Sequence, residues 1–579
     1  MANEHLKRRA APKGVSRGVL LLASVPALVT FIAYLGALGN GFVTWDDGPY
    51  VYENPGIRTM DAAFFRWAFT SAVHSNWHPV TIISYAVDYS LWGLDPRGYH
   101  LVNNVFHALN ASLVFVLTLR VAGLAGAGKE WPGRDRALGT AFVASLLFGL
   151  HPLHVESVAW ISERKDVLSA FFSILSVLAY LWYAAGKRDH GLVRYSLTFV
   201  LLALAIMSKP MAVTMPVVFL ILDFYPLERL RAPLKEPGRA ILLLLEKVPF
   251  FSLSLLSSVM TILAQSKAMP IEGMGLVLHE RILVATRAVF FYLYKTVLPI
   301  NLSPLYPLTK GVTPFSFEYA VPAVAFIISA VSAIALRRHK WFAASWLYYV
   351  VTLLPVSGVV QVGVQAAADR YTYMPSIPVF MLAGAGLFAF IRKRRSHGRA
   401  IVLPVVLAAG VFIALTGLTI KQTAVWKDGL TLWNRQVRNY PGHAVSYDNR
   451  AETYELLGRD EEALADYARA IAVEPGFVDS YIYRGNLLNT LGRHREAIKD
   501  FNEVIKRGGA VAGAYNYRGV AHFYLKEYEL AEEDFLAAIR LRPAYPDPYH
   551  NLSFLYSTLG DHARAEEYRS RAQELGYGG

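Results

Sequence analysis

Between Gly18 and Ile420 the chain returns about eleven times to an apolar run long enough, or nearly so, to cross roughly 30 Å of hydrocarbon at about 1.5 Å per helical residue. That pattern dictates a membrane-embedded bundle of helices. Composition agrees: 54% of the 579 residues are hydrophobic and only 17% are charged. The formal charge of +13 does not mark a nucleic-acid binder, because Lys and Arg gather in short connectors between apolar runs, as orientation by positive loops requires. With no cysteine, disulfides, a thiolate nucleophile and Cys-ligated zinc are all excluded.

Lys7, Arg8, Arg9, Lys13 and Arg17 precede the first run, so residues 1–17 are expected in the cytoplasm. The run itself is long for a cleaved signal peptide and reads as an uncleaved anchor. Further runs lie near residues 101–122, 137–153, 167–185, 194–207, 211–225, 241–265, 319–336, 341–358, 375–391 and 401–420. Ile282 to Leu298 reads instead as an interfacial or re-entrant helix, since counting it as a span would send the basic connector Arg337 to Lys340 outside. This arrangement sends the large loop 40–100 and the connectors 151–166 and 361–371 to one non-cytoplasmic face.

From Ala444 onward the apolar runs stop and a 34-residue period begins. Ala463, Ala497, Ala531 and Ala565 mark it, as do Leu457, Leu491, Leu525 and Leu559; Ala451, Gly485, Gly519 and Ser553 hold a small-residue position. These are four tetratricopeptide repeats over 444–579, after a linker at 421–443. Such arrays bind peptides along a concave groove. Asn449, Tyr483, Tyr517 and Asn551 share one first-helix position and are expected either to line that groove, towards a protein or peptide acceptor or a partner, or to pack neighbouring repeats. The chain order puts the repeats on the same face as the 40–100 loop.

Acids are scarce in this membrane half, yet Trp45-Asp46-Asp47 places two carboxylates at the mouth of the first span. A carboxylate at a membrane surface can act as a general base on an acceptor hydroxyl; Asp-Asp-Gly can equally make a turn or cap. Candidate partners follow in sequence. His78, His100 and Asn103 could bind sugar or acceptor hydroxyls, as could His151, His154, Glu156, Asp166 and Tyr371. Arg164, Lys165, Lys209 and Arg370 are suited to a lipid phosphate. His151, His154 and Glu156 raise a metal site, although Pro152 interrupts the helical face that zinc pairs need. No phosphate-binding Gly-rich loop, dinucleotide fingerprint or Gly-x-Ser-x-Gly is present.

The order of these motifs, with terminal repeats, resembles the transmembrane and tetratricopeptide repeat-containing O-mannosyltransferases and their bacterial relatives. They lie within the GT-C-type multi-span glycosyltransferases that use polyprenyl-phosphate sugars. The resemblance implies a transmembrane glycosyltransferase domain at 18–420, with 40–100 as its catalytic loop and Asp46 and Asp47 as its catalytic acids. It also implies inverting transfer of a sugar, mannose in the family, from a polyprenyl-phosphate donor to Ser or Thr hydroxyls. No nucleotide cofactor is implied, and a divalent cation between the acids stays open. Likeness to compact bacterial relatives favours a bacterial inner membrane with the active face outside the cytoplasm. Two rivals are a transferase acting on a glycolipid or envelope polymer, and a non-catalytic scaffold that assembles complexes through its repeats.

Overall fold

The computed structural model describes residues 17–126, 134–186, 190–230, 237–265, 276–308, 311–336, 338–359, 365–396, 400–508 and 511–577. The basic residues at positions 7, 8, 9 and 13, Arg337, and the start of the 361–371 connector lie outside the described residues. The chain divides into two compact units, Met1–Leu432 and Trp433–Gly579. The first is helical and apolar; the second is the repeat array.

Among the described residues eight helices are long and apolar enough to cross a membrane: Arg17–Gly39, Pro96–Gly126, Ile161–Ala185, Gly191–Ser208, Ala240–Ala264, Phe317–Ala335, Ser376–Arg395 and Val402–Trp426. A ninth candidate is a bent pair, Asp135–Leu150 with Pro152–Ala159, angled by 50°. The bend has a local cause. Pro152 lacks an N–H and forces His151 into an extended conformation, and the His151 ring then caps the break by accepting the Leu153 N–H at 3.3 Å. The remaining two expected runs form the helices Met215–Phe224, preceded by a 3-10 turn at Pro210–Thr214, and Lys340–Leu353, both shorter than a bilayer needs. The segment expected to be interfacial or re-entrant is the helix Leu278–Val297, whose Arg287 pairs with Glu318 on the next helix at 2.8 Å.

Loop 40–100 is itself folded. Asp61 caps Ala62–Thr70 by accepting the Phe64 N–H at 2.8 Å, and a second helix runs Pro79–Trp92. These two helices help bury a core of Tyr50, Ile57, Phe64, Ile82, Tyr85 and Tyr99 that reaches Ile161. The loop is thereby fixed on the N-terminal end of the Ile161–Ala185 helix. Two short antiparallel strands, Tyr306–Pro307 and Gln365–Ala367, hold the segment before Asp369.

The residues 421–443, expected as a linker, are ordered: the helix Val402–Thr423 continues into a 3-10 turn at Ala424–Trp426, and a further helix spans Gly429–Asn439. Their aromatic and aliphatic side chains explain the order, because Trp426, Leu432 and Trp433 are all buried.

In the repeat unit eight helices run from Ala444–Leu456 to His562–Glu574. The small-residue position is small because an aromatic ring lies against it. A Cβ on Gly519 would meet Phe535 Cε1 at 2.8 Å and the Ala531 carbonyl oxygen at 3.2 Å, and one on Gly485 would meet Phe501 Cε1 at 2.7 Å. Gly519→Leu is therefore expected to cost about 1–3 kcal/mol through overpacking, read as a lower denaturation midpoint and faster proteolysis of the third repeat. A second periodic device ties each helix pair. Arg450 to Asp466, Arg484 to Asp500 and Arg518 to Asp534 are bidentate pairs with N···O distances of 2.6–2.8 Å. The fourth repeat has Leu552 and Tyr568 at those positions, and Tyr568 stacks on Tyr556 instead.

Candidate active site

The two adjacent acids do different work. Asp47 is 1% exposed, and its carboxylate accepts the Val43 N–H at 2.9 Å, the Ser162 N–H at 2.9 Å and the Ser162 hydroxyl. It closes the Val43 turn and ties the first loop to the N-terminal end of the Ile161–Ala185 helix. Both carboxylate oxygens are buried and hydrogen-bonded within the protein, so Asp47 positions the loop. Asp46 points the other way, with its side chain 18% exposed and its carboxylate 3.4 Å from Lys165 Nζ and 3.7 Å from His74 Nε2. Of the pair, Asp46 is the acid a substrate can reach.

Burial pushes the Asp47 carboxyl up from an ordinary 3.8 to about 6, against the pull of the Ser162 and Val43 hydrogen bonds, with the Asp46 charge adding to the rise. A raised pKa in the fold means that the folded chain holds this proton more tightly than the unfolded one. The stabilisation is complete below 3.8 and is lost as pH rises through about 6. Thermal unfolding measured from pH 7 down to pH 5 should show wild type gaining stability relative to Asp47→Asn, which cannot titrate.

Arg164 is fully buried and every nitrogen of its guanidinium is engaged. Nη1 pairs with Asp88, Nε donates to Asn103 Oδ1 at 2.7 Å, and Nη2 donates to the Tyr99 carbonyl at 2.7 Å. Tyr85 and Tyr99 flank its plane. The expected phosphate role has no support here, because the guanidinium is fully buried and each of its nitrogens is held by a protein partner. Asn103 likewise spends its amide on the Val158 and Trp160 carbonyls, at 3.2 Å each, so it braces the bend before Arg164 and has none left for a sugar.

The histidines expected to meet a sugar are also buried among protein partners. His100 contacts the Gly41 carbonyl at 3.4 Å, His151 the Thr296 carbonyl at 2.9 Å, and His154 the Phe148 carbonyl at 2.8 Å and Ser376 Oγ at 3.1 Å. His78 lies 3.5 Å from the Tyr50 hydroxyl, and burial, with Lys165 and Lys209 nearby, holds its pKa well below the usual imidazole range. His151 and His154 thus face backbone, while Glu156 faces Arg370. Among the described residues no group of three or more His, Cys, Asp or Glu is arranged to hold a metal ion.

The remaining charged candidates do converge. Lys165 reaches Asp46 at 3.4 Å and Glu163 at 3.2 Å. Lys209, at the end of the Gly191–Ser208 helix, reaches Glu163 at 2.9 Å and Asp166 at 2.6 Å; Asp166 also accepts the Ser157 hydroxyl at 2.9 Å. Arg370, held on a 3-10 turn at Asp369–Thr372, pairs with Glu156 through Nη1 and through its backbone N–H at 3.0 Å, and its Nε lies 3.4 Å from Glu163. Although burial alone would lower both bases, the acids around Lys209 and Arg370 raise them, so both stay charged. Tyr371 lies under the Arg370 guanidinium, 5.0 Å from ring centre to Cζ, and its hydroxyl accepts from Gln365 at 2.8 Å.

Beside this network is a small pocket of about 30 Å³ lined by Asp166, Lys209, Arg370, Ser169, Ser173, Thr352 and Tyr373, with Met211, Met215 and Met374 as its apolar wall. One end is ionic and the wall is flexible and apolar. A tryptophan stack borders the network: Trp45 on Trp160 at 4.3 Å and Trp160 on Trp426 at 5.3 Å, with Arg370 against the first two rings.

Three participants escape the sequence reading. Ser162 is the anchor of Asp47, Asp88 is the counter-ion of Arg164, and Glu163 is the acid at which Lys165, Lys209 and Arg370 meet. Glu163 opens the Glu-Arg-Lys-Asp run, and an acid directly before two cations was the available signal. In the repeats, Tyr483 is 50% exposed, whereas Asn449 bonds back to the Val445 carbonyl at 2.8 Å and Asn551 to Asn516 at 2.9 Å. Tyr517 packs its ring on Phe501 at 6.1 Å.

The repeat region matches a tetratricopeptide-repeat family model at residues 444–477, 478–507, 512–545 and 546–575. Protein O-mannosyl-transferase F38B6.6 of Caenorhabditis elegans is 25% identical over 479 residues, 80% of this chain and 64% of that protein. Human protein O-mannosyl-transferase TMTC1 is 24% identical over 78% of this chain and 54% of its own length, and Drosophila melanogaster Tmtc2 is 30% identical over 34% and 21%. The chain thus spans less than two thirds of the length of these relatives. Among solved structures, MamA aligns with 25% of this chain and 86% of its own at 18% identity, with a TM-score of 0.24. Coverage of 80% cannot be supplied by the repeats alone and must run through the membrane half. Over most of its length, the membrane half included, the chain is similar to these protein O-mannosyl-transferases.

Proposed function

We propose that this protein is an integral-membrane inverting glycosyltransferase that moves a sugar from a polyprenyl-phosphate donor to Ser or Thr hydroxyls of a protein acceptor. The relatives' names make mannose the first sugar to test. The observation that carries the reading is a continuous ionic path, Asp46 to Lys165 to Glu163 to Lys209 and Arg370, which joins a reachable carboxylate to a cavity with cations at one end and methionines along its wall. The chemistry of that lining, cationic beside apolar, suits a lipid phosphate, which the pocket would have to widen to admit.

In the proposed step Asp46 accepts the proton of the acceptor hydroxyl while its oxygen attacks the sugar C1 from the face opposite the phosphate. The bond between C1 and the phosphate oxygen breaks, and the electron pair leaves with the lipid phosphate. Lys209 and Arg370 stabilise that departing charge. The donor is already activated, so no nucleotide is consumed. Asp47 and Arg164 hold the loop and helix end that place these groups.

The repeats are proposed to bind the acceptor or a partner, with the exposed Tyr483 as one contact. The active face is proposed to lie outside the cytoplasm, in a bacterial inner membrane. The reading is tested by offering purified full-length protein polyprenyl-phosphate mannose or GDP-mannose with a Ser/Thr peptide. Labelled peptide is expected from the lipid donor without ATP. Transfer from GDP-mannose alone would overturn it.

A further inference from the structure

A base that takes a proton from each acceptor must lose it before the next turnover, and the surroundings of Asp46 leave one route. Its Oδ2 lies 3.4 Å from Lys165 Nζ, an ammonium with three N–H groups and no lone pair to offer. Its Oδ1 lies 3.7 Å from His74 Nε2. The Lys165 side chain is 8% exposed, whereas that of His74 is 55% exposed. The imidazole therefore stands between the acid and bulk water, and of the two ionic partners it is the one able to accept a proton.

The backbone that carries His74 holds an unusual shape. His74 and Ser75 both lie in the left-handed region, at φ 48° and 60°. Val73 and Asn76 exchange both backbone hydrogen bonds, at 3.0 and 2.9 Å, so His74 and Ser75 form the centre of a tight hairpin turn. Such turns favour Asn-Gly, because both central residues need φ above zero. Here a histidine and a serine take those places. Asn76 Nδ2 donates to the His74 carbonyl at 2.8 Å, Trp77 Nε1 donates to the Phe69 carbonyl at 2.9 Å, and the His74 ring meets Tyr50 edge to face at 6.3 Å. A side chain held beside a reachable acid by a strained turn points to a use for that side chain.

Resting on the transferase reading above, we propose that His74 takes the proton from Asp46 and passes it to water, resetting the base for the next acceptor. The acceptor proton moves to Asp46 as the acceptor oxygen bonds to the sugar C1. It then moves from Asp46 Oδ1 to the lone pair of His74 Nε2, which restores the carboxylate and leaves an imidazolium. The imidazolium releases a proton to water. The 3.7 Å gap is of the kind that tightens to a hydrogen bond when substrate is in place. His74 must be neutral to accept, so the rate falls as pH drops through the imidazole range, roughly pH 5–8. Among the described residues, Asp46 and Tyr50 are the titratable groups that face the ring, with Lys165 across Asp46.

The test uses full-length protein with polyprenyl-phosphate mannose and a Ser/Thr peptide. His74→Asn and His74→Gly both keep the left-handed backbone, which Asn and Gly adopt readily, and neither supplies a base. Each is expected to lower kcat by about tenfold or more, with KM for donor and peptide little changed, wild-type melting behaviour, and the acid limb of the pH profile gone from the imidazole range. Added imidazole should restore part of the lost rate in His74→Gly and none in Asp46→Asn. Wild-type kcat in both folded variants, or a loss that imidazole does not restore with the acid limb still in place, overturns the relay. If wild type transfers no sugar from the lipid donor, the transferase reading and the relay fall together; if wild type transfers and the His74 variants match it, only the relay falls.

Discussion

Asp46→Asn should lower the rate of sugar transfer by about 10²- to 10⁴-fold, the range a positioned general base contributes. Folding should be little affected, because Asp46 is at the edge of the network and its ion pair with Lys165 is long at 3.4 Å. Asp47→Asn should behave differently. The amide oxygen can still accept from Ser162, but the NH₂ then faces the Val43 N–H, leaving a buried donor unpaired at a cost of about 1–3 kcal/mol. Its loss of activity should therefore track loss of stability, and lower temperature should restore part of it. The two variants separate chemistry from positioning within one dipeptide, and melting curves with initial rates on the same preparations check it.

The second large effect falls on Arg164. Arg164→Ala leaves Asp88 as a buried carboxylate without its cation and strips a donor from both Asn103 and the Tyr99 carbonyl. Breaking a buried pair in this way costs about 3–5 kcal/mol, enough to lower the yield of folded protein sharply. Arg164→Lys should rescue little, since one ammonium cannot serve three partners in the plane of a guanidinium. Lys165→Ala, one residue later, should instead leave most of the fold intact and depress transfer, because Lys165 faces Asp46 and Glu163. Yield of monodisperse protein and its melting temperature, set against turnover, distinguish the two cations.

Why Arg164 and Lys165 part company is a matter of helix geometry. Successive side chains on a helix point about 100° apart, so two cations adjacent in sequence cannot both face one ligand. The sequence alone shows two cations near a membrane boundary and assigns both to phosphate. Helix phase at the start of Arg164–Ala185 puts one in the tyrosine-lined core and the other at the site. The same limit applies to Asp46 and Asp47, where a turn closed by Val43 decides which acid is spent.

The membrane half is legible because apolar length is a one-dimensional property, and the repeats because a 34-residue period is one too. Pairings across the bundle are not. Arg164 meets Asp88 and Asn103, and Arg370 meets Glu156, across separations that no local pattern encodes. Buried histidines mislead for a related reason: His151 and His154 stand in a run that reads as ligands, yet their rings meet the Thr296 and Phe148 carbonyls at two helix ends. The 421–443 segment reads as a linker because it falls between the last apolar run and the first repeat, while its buried Trp426 and Trp433 supply apolar surface that orders it.

The measurement that bears most directly on the central claim is transfer of labelled mannose from polyprenyl-phosphate mannose to a Ser/Thr peptide by purified wild-type protein and by Asp46→Asn, in parallel. The account predicts peptide-bound label of inverted anomeric configuration with wild type and a rate at least about 10²-fold lower with the variant. Equal rates for the two proteins, or label that retains the donor's anomeric configuration, would contradict it.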